Sequence, residues 1–375
     1  MKVLIIPEFS TQQSGTFRFF KTLVKTHISD EIQTAVILEK YQLNLDLVKQ
    51  LEDQNIRVFE VSNRNKLFKL PYLSLIFDIF TVWNCFSKFK SDIIHVSNGT
   101  PGLMLGVLIF PCTVVFTMHT YPISKLFVSK LSILLVGIYY LISHFIKQNK
   151  GFNKRFVTVS QSSAFIISKY FKIPLQLINV IPNGVPYSDN YSNLTSQIIL
   201  TVGHVMWYKN PDLWLKIAQK SIQRKPSLKF IWLGTGDLLD KMKEEVDNLG
   251  LCHQILFKGS CEDVKSHYVE ACIYLQPSLV ESQGIAVLEA MSYGLPCIVS
   301  DVGGLPESVI DGETGFICSS QNVDEFVSKL FTLLENTTLM KHMGESGKQR
   351  ATEYFSELNQ SQSFLALYHK ILEKS

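Results

Sequence analysis

The sequence predicts an α/β protein of two domains, each a parallel sheet covered by helices on both faces. Three observations carry this expectation. The chain has 375 residues, 46% of them hydrophobic, a length that suits two α/β domains rather than one. Short apolar runs alternate with helical patterns throughout, which is how strands buried on both faces of a parallel sheet read. The pattern also restarts: after the loop Ile181–Pro186 comes the polar stretch Tyr187–Gln197, and then a second strand–helix series.

The first series offers candidate strands at Val3–Ile6, Thr34–Leu38, Ile93–Val96, Thr113–Met118 and Phe156–Val159. The second offers Ile198–Val202, Lys229–Leu233, Ile255–Phe257, Ile273–Gln276 and Cys297–Ser300. The expected organisation is a first domain over 1–186, a linker over 187–197, a second domain over 198–355 and a closing helix over 356–375. That last segment is amphipathic, with Leu358, Phe364, Leu365, Leu367, Tyr368 and Ile371 at mixed helical spacing. The opening run Met1–Pro7 is too short for a signal peptide and reads as a buried first strand, so the expected compartment is the cytoplasm. The seven cysteines form no CxxC pair and no cluster with His at zinc spacing. They read as small buried hydrophobes in a reducing compartment.

Charged residues make up 18% of the chain, below the roughly one quarter of a typical globular domain, so the chain is somewhat greasy but not disordered. The net charge of +3 is unevenly spread: Met1 to Val185 carries 20 Lys/Arg against 10 Asp/Glu, and the remainder 16 against 23. No acidic residue occurs between Asp92 and Asp189, while Lys125, Lys130, Lys147, Lys150, Lys154, Arg155, Lys169 and Lys172 fall there. The first half therefore suits an anionic partner. Its basic residues flank apolar runs, so an anionic membrane surface fits better than nucleic acid, and no nucleic-acid partner is expected. Leu67–Phe89 is interrupted by Lys69, Pro71, Asp78 and Asn84. Leu126–Ile146 is long enough to span a bilayer, but Ser129, Lys130, Ser132, Ser143 and His144 break it. It reads equally as a buried helix or as an in-plane helix docked peripherally on the cytoplasmic face of the inner membrane.

The chemistry concentrates between Gln276 and Met291. A strand ends near Gln276 and a helix begins near Gly284, so the intervening loop lies at the carboxyl end of a parallel strand, where open α/β sheets bind ligands. Backbone N–H groups at Gly284 and Ile285 open the helix and form an anion site suited to a nucleoside diphosphate. Gly284 admits the ligand with no Cβ in its way. Glu281 sits on the loop and Glu289 about one and a half turns into the helix. Carboxylates beside a phosphate site suit hydroxyl groups, although an exposed loop acid and an ordinary helix Glu would read the same way.

The two glutamates are followed by Ala290–Glu307 (AMSYGLPCIVSDVGGLPE) and then by Asp311–Phe316 (DGETGF). This run of about 40 residues is similar to the donor-site signature of glycosyltransferase family 4. The resemblance implies the GT-B fold, two Rossmann-like domains facing across a cleft, with the C-terminal helix closing back on the first. It also implies sugar transfer with retention of anomeric configuration. It assigns Glu281 to the sugar hydroxyls, Glu289 to the ribose, and the amides near Gly284 and Ile285 to the diphosphate or sugar. Gln283 departs from the family, which often has Phe there. In the turn after the first strand of the second half, Lys209 matches a family Lys that neutralises the diphosphate, and His204 stands where the family has Arg. His204 serves there only if protonated or as a neutral hydrogen-bond donor. Gly236, in the turn Gly234–Asp237, and Lys258 resemble residues bordering the nucleobase. In the first half Gly15 matches a glycine loop that approaches the donor phosphate, and His119 matches a strand-end His near the reacting sugar and acceptor.

The reading is a retaining glycosyltransferase, hexosyltransferase in type. It moves a sugar from a nucleoside-diphosphate donor to an acceptor hydroxyl through an oxocarbenium-like state reached by front-face attack. Positioning and stabilisation of the departing diphosphate would supply the rate. The sequence has no Asp-x-Asp motif, so no cofactor and no divalent metal are expected. The basic, apolar first domain suits a lipid-linked glycan acceptor, as in bacterial surface polysaccharide biosynthesis. The competing readings are a GT-B phosphorylase or epimerase, and a catalytically silent relative that binds or scaffolds.

Overall fold

The protein is described by a computed structural model over residues 1–7, 15–29, 32–39, 45–61, 71–97, 107, 113–119, 154–171 and 173–373. The chain divides into two compact units, Met1–Pro182 with Gln360–Ser375, and Asn183–Asn359.

The first unit is built on a seven-stranded sheet. Its strands are β1 (Lys2–Ile6), β2 (Gln33–Glu39), β3 (Arg57–Val61), β4 (Ile93–Ser97), β5 (Thr113–Met118), β6 (Lys154–Thr158) and β7 (Ile178–Val180). They run in the order β3-β2-β1-β4-β5-β6-β7, and each recorded pairing is parallel. Successive strand residues face opposite ways, so β1 serves two cores. Val3 and Ile5 pack with Phe19, Phe20, Leu23 and Val24 of helix α1 (Gly15–Ser29) and with Leu47 and Leu51 of α2 (Leu45–Asp53). Leu4 and Ile6 pack with Val82 and Cys85 of α3 (Pro71–Phe89) and with Ile167 of α4 (Gln161–Phe171).

The second unit repeats the plan with six parallel strands in the order β10-β9-β8-β11-β12-β13. These are β8 (Ile198–Val202), β9 (Lys229–Leu233), β10 (Ile255–Gly259), β11 (Ile273–Gln276), β12 (Cys297–Ser300) and β13 (Gly315–Cys318). One face packs on α5 (Pro211–Arg224), α6 (Leu239–Asn248) and α10 (Val323–Leu334), with Trp214 and Trp232 fully buried among them. The other face packs on α7 (Val264–Glu270), α8 (Ile285–Ser292), α9 (Leu305–Ser308) and α11 (Thr337–Tyr354). The final helix, α12 (Glu357–Leu372), sends Phe364, Leu367, Tyr368 and Ile371 into the core of the first unit beside α1.

All ten strands expected from the sequence are present, some shifted by a residue or two at their ends. The three that sequence reading passes over are β3, β7 and β13, and each lies at a sheet edge. An edge strand is paired on one side only, so its run is shorter or more polar: β3 alternates as Arg-Val-Phe-Glu-Val, β7 has three residues, and β13 begins at Gly315. Leu126–Ile146, with Lys125, Lys130, Lys147 and Lys150, lies outside the described residues. Of Leu67–Phe89, the part Pro71–Phe89 is α3. Among the described residues no helix is long and apolar enough to cross a membrane. Cys85, Cys272, Cys297 and Cys318 are buried thiols as expected, but Cys252 is exposed and Cys261 half-buried; Cys112 lies outside the described residues.

Candidate active site

Four neighbouring strands of the second sheet, β10-β9-β8-β11, end along one edge, and the turns that follow them are bonded to one another. Gly203 N–H donates to Leu233 O (2.9 Å) and Val205 N–H to Thr235 O (2.9 Å), which joins the turns after β8 and β9. Gly234 N–H donates to Gly259 O at the end of β10 (2.7 Å). Leu279 N–H donates to Tyr208 O (2.8 Å), which ties the loop after β11 to the turn after β8. A Cβ at Gly236 would strike the backbone of Val205, so the turn after β9 reaches this close only with glycine there. Eight of the residues singled out in the sequence belong to this one region: His204, Lys209, Gly236, Lys258, Glu281, Gly284, Ile285 and Glu289.

Lys209 closes a single 3-10 turn, Trp207–Lys209. Asn210 then adopts a left-handed conformation (φ 58°) and Pro211 starts α5 at its first position, where a missing N–H costs nothing. The Lys209 ammonium pairs with Glu281 Oε2, and the two side chains are only 13% and 14% exposed. The same oxygen accepts from Gln276 Nε2 at 2.8 Å. Tyr274 OH, fully buried on β11, donates to Gln276 Oε1 at 2.8 Å and stands 3.3 Å from Val202 N. Burial and the neighbouring Tyr268 push the Tyr274 hydroxyl well above its ordinary range, so it stays protonated.

Gly284 caps α8 with φ 89°. The first amides of a helix have no acceptor within it, and the loop that carries Glu281 leads into this helix start. Gln283, where the resembling family often has Phe, is 3% exposed. Its Oε1 accepts from both the backbone N–H and the side-chain amide of Asn183, each at 2.8 Å, and its carbonyl accepts from Ser308 Oγ at 3.1 Å. A polar side chain thus fills the position with its amide oxygen doubly hydrogen-bonded. Glu289 is half-buried, and Tyr268 OH donates to its Oε2 at 3.0 Å.

His204 lies on the exposed side of its turn, 3.5 Å through Nδ1 from Tyr208 OH. Desolvation first, and the Lys209 charge second, lower its pKa from the ordinary value. Of its two expected modes, the neutral hydrogen-bonding one fits this setting. Lys258 is exposed at the end of β10, and its charge adds to the burial that lowers the His267 pKa.

Gly15 and His119 belong to the first unit. Gly15 is the first residue of α1, and His119 follows β5. The imidazole of His119 is 6% exposed, stands edge-on to Phe19 of α1 (4.4 Å between ring centres) and has Nε2 3.1 Å from Ser97 Oγ. Sequence reading assigned no role to Tyr268, Tyr274 or Gln276. The one available signal was a Gln closing the apolar strand Ile273–Gln276; the two tyrosines read as core.

Both units of the chain are similar to known proteins. The Glycosyl transferases group 1 model matches residues 188–350, and the Glycosyltransferase Family 4 model matches residues 14–189. An uncharacterized glycosyltransferase of Methanocaldococcus jannaschii is 26% identical over 337 residues, 88% of this chain and 90% of its own. An Escherichia coli UDP-Gal:alpha-D-GlcNAc-diphosphoundecaprenol alpha-1,3-galactosyltransferase is 26% identical over 313 residues, 76% of this chain and 77% of its own. Two other relatives match over only 57% and 60% of their own lengths. Among solved structures, Anabaena HepE in complex with UDP and glucose superposes with a TM-score of 0.75 at 17% identity, over 99% of this chain and all of its own. The two parallel-sheet units have the GT-B fold of these glycosyltransferases. Together the two models cover residues 14–350, and the chain belongs to the glycosyltransferases that they describe.

Proposed function

We propose that the protein transfers a hexose-type sugar from a nucleoside-diphosphate donor to the hydroxyl of a lipid-linked glycan, with retention. The observation that carries this reading is the Lys209–Glu281 pair beside the glycine-capped start of α8. The diphosphate lies against the first amides of α8, where backbone donors and the helix dipole favour an anion. Lys209 supplies positive charge to the diphosphate, on which negative charge grows as the glycosidic bond breaks. Glu281 accepts hydrogen bonds from sugar hydroxyls, and Glu289, steadied by Tyr268, from the ribose. His204 donates to the diphosphate as a neutral imidazole. Gly236 and Lys258 border the base, while Gly15 and His119 serve the donor phosphate and the acceptor from the first unit. The departing phosphate takes the acceptor proton, and no divalent ion is required.

The test is release of nucleoside diphosphate from a panel of UDP-, GDP- and dTDP-sugars, with bacterial membranes as acceptor. The wild-type protein turns over one of them, excess EDTA leaves the rate unchanged, and Glu281→Ala lowers it on the order of a hundredfold or more. No release from any donor, or a Glu281→Ala protein as active as wild type, overturns the reading.

The lipid-linked acceptor and a peripheral membrane contact are supported by the acid-free interval from Asp92 to Asp189 and by α3. That helix exposes Phe80 (61%) and Trp83 (54%), with Lys88 and Lys90 at its end. Aromatic side chains beside lysines suit the headgroup boundary of an anionic bilayer. The protein is expected to sediment with phosphatidylglycerol-containing vesicles at low salt, and a Phe80→Ser/Trp83→Ser variant several-fold less. Sedimentation that is absent or indifferent to the two substitutions rejects α3 as the contact.

A further inference from the structure

We infer that Gln276 is a positioning residue for Glu281, holding its carboxylate when Lys209 turns to the donor diphosphate. The inference rests on the donor-site reading above and adds to it the residue that makes the site tolerant of its own ion pair.

Glu281 Oε2 is shared by the Lys209 ammonium and the Gln276 amide. A diphosphate carries more negative charge than one carboxylate and is held by helix amides beside Glu281, so it draws the ammonium toward itself. A carboxylate held only by that lysine would then lose its orientation just as the sugar needs it. The Gln276 amide is neutral and gains nothing from the diphosphate. It remains on Oε2 and keeps the other acceptor positions of the carboxylate aimed at the sugar.

The amide is itself fixed. Gln276 is 1% exposed at the end of β11. Its Nε2 faces a carboxylate and its Oε1 faces the Tyr274 hydroxyl at 2.8 Å. The reverse orientation would set a carbonyl oxygen against a carboxylate. Tyr274 is anchored in turn by the Val202 backbone at the end of β8, with its hydroxyl 3.1 Å from Val202 O and 3.3 Å from Val202 N. The relay from Val202 through Tyr274 and Gln276 to Glu281 is therefore built on two paired strands rather than on the loop. Carboxylate placement matters because a small misplacement of a reacting group costs rate out of proportion to the energy of the bond lost.

The experiment compares kcat and donor KM for the wild-type protein, Gln276→Leu, Gln276→Glu, Tyr274→Phe and Glu281→Ala, on the nucleotide sugar that the wild type turns over. Each variant is also melted to confirm that it folds. Gln276→Leu removes both bonds at similar volume, and kcat is expected to fall about tenfold or more while donor KM changes little. Gln276→Glu keeps the shape but can donate to Glu281 only when protonated. Two adjacent carboxyls share a proton readily at low pH and not at high pH. This variant is therefore expected to keep activity at acidic pH and lose it as pH rises, along a limb the wild type lacks. Tyr274→Phe frees the amide to turn and gives a smaller loss in kcat. A purely structural role for Gln276 would change melting temperature without creating the new pH limb. If Glu281→Ala is inactive while folded Gln276→Leu and Gln276→Glu match the wild type at every pH, the positioning role is wrong and the donor-site reading stands. If Glu281→Ala is itself fully active, the donor-site reading fails and the positioning role fails with it.

Discussion

Gly284 is the residue on which the candidate donor site turns, and its substitution separates two physical costs. Its backbone has φ 89°, and a Cβ would lie 2.7 Å from Leu305 Cδ2 and 3.3 Å from Val287 Cγ2, two side chains that are fully buried. Gly312 has a comparable φ of 75° with nothing within 4 Å of a Cβ. Gly312→Ala is therefore expected to cost the left-handed strain alone, about 1 kcal/mol, and Gly284→Ala that strain plus a displaced core, about 2–4 kcal/mol. Thermal denaturation reads the difference, and equal shifts would show that α9 yields freely to the new methyl. Individual residues were legible in the sequence where their chemistry is unusual for their surroundings. Two acids flanking a glycine at a strand-to-helix junction announce Glu281, Gly284 and Glu289. Lys209 and His204 were reached only through the family pattern. Tyr268 and Tyr274 were hidden because a tyrosine in an apolar run reads as packing, and only the fold reveals that their hydroxyls end on Glu289 and Gln276. Gln283 was legible as a departure, but not its solution, since its partner Asn183 lies 100 residues away.

At the scale of elements, α12 shows what periodicity reveals and what it leaves open. The helix is expected over 356–375 and spans Glu357–Leu372, because an apolar stripe among polar residues is a local signal. Its polar anchor is not local: the Tyr368 hydroxyl meets Nδ1 of His95, 273 residues earlier on β4, and no window of sequence contains that bond. The same reasoning covers the strands: the interior runs and the apolar edge run of β10 announced themselves, while the shorter or more polar edge strands β3, β7 and β13 did not. The helix completes a core instead of decorating it, because Phe364, Tyr368 and Ile371 are at most 1% exposed. Phe364→Ala, which empties a site between Phe19 and His95, is expected to destabilise the protein by about 3–5 kcal/mol. Leu358→Ala, at a side chain 64% exposed on the same helix, is expected to change little. Chemical denaturation of the two variants checks this, and equal losses would mean that α12 is held by something other than its buried stripe.

The two units are expected to respond differently to acid, because two imidazoles are fully buried in the first. His27 and His95 are each 0% exposed, and both belong to the first unit. Burial lowers His27 to about 3. Burial first, and then the nearby His27 and His119, hold His95 well below its ordinary value. The histidines shifted downward in the second unit, His204 and His267, are not fully buried. In the unfolded chain a histidine titrates near 6.5, so below that pH the unfolded state binds protons that the folded first unit refuses. The stability that neutral burial contributes is complete above about pH 6.5. It is lost as pH falls from there toward 3, at up to about 1.4 kcal/mol per pH unit for each group. The first half also carries the excess of basic over acidic residues, so every added proton works against existing repulsion. Between pH 7 and pH 4.5 the amides of β1, β4 and β5 are therefore expected to lose hydrogen-exchange protection, after correction for intrinsic rate, before those of β8, β9 and β11. His27→Asn removes one of the two titrations and is expected to flatten the acid limb of the first unit while leaving the second unchanged. Simultaneous loss of protection in both units would mean that they unfold as one cooperative body, and the acid sensitivity would then belong to the molecule rather than to the half that holds the histidines.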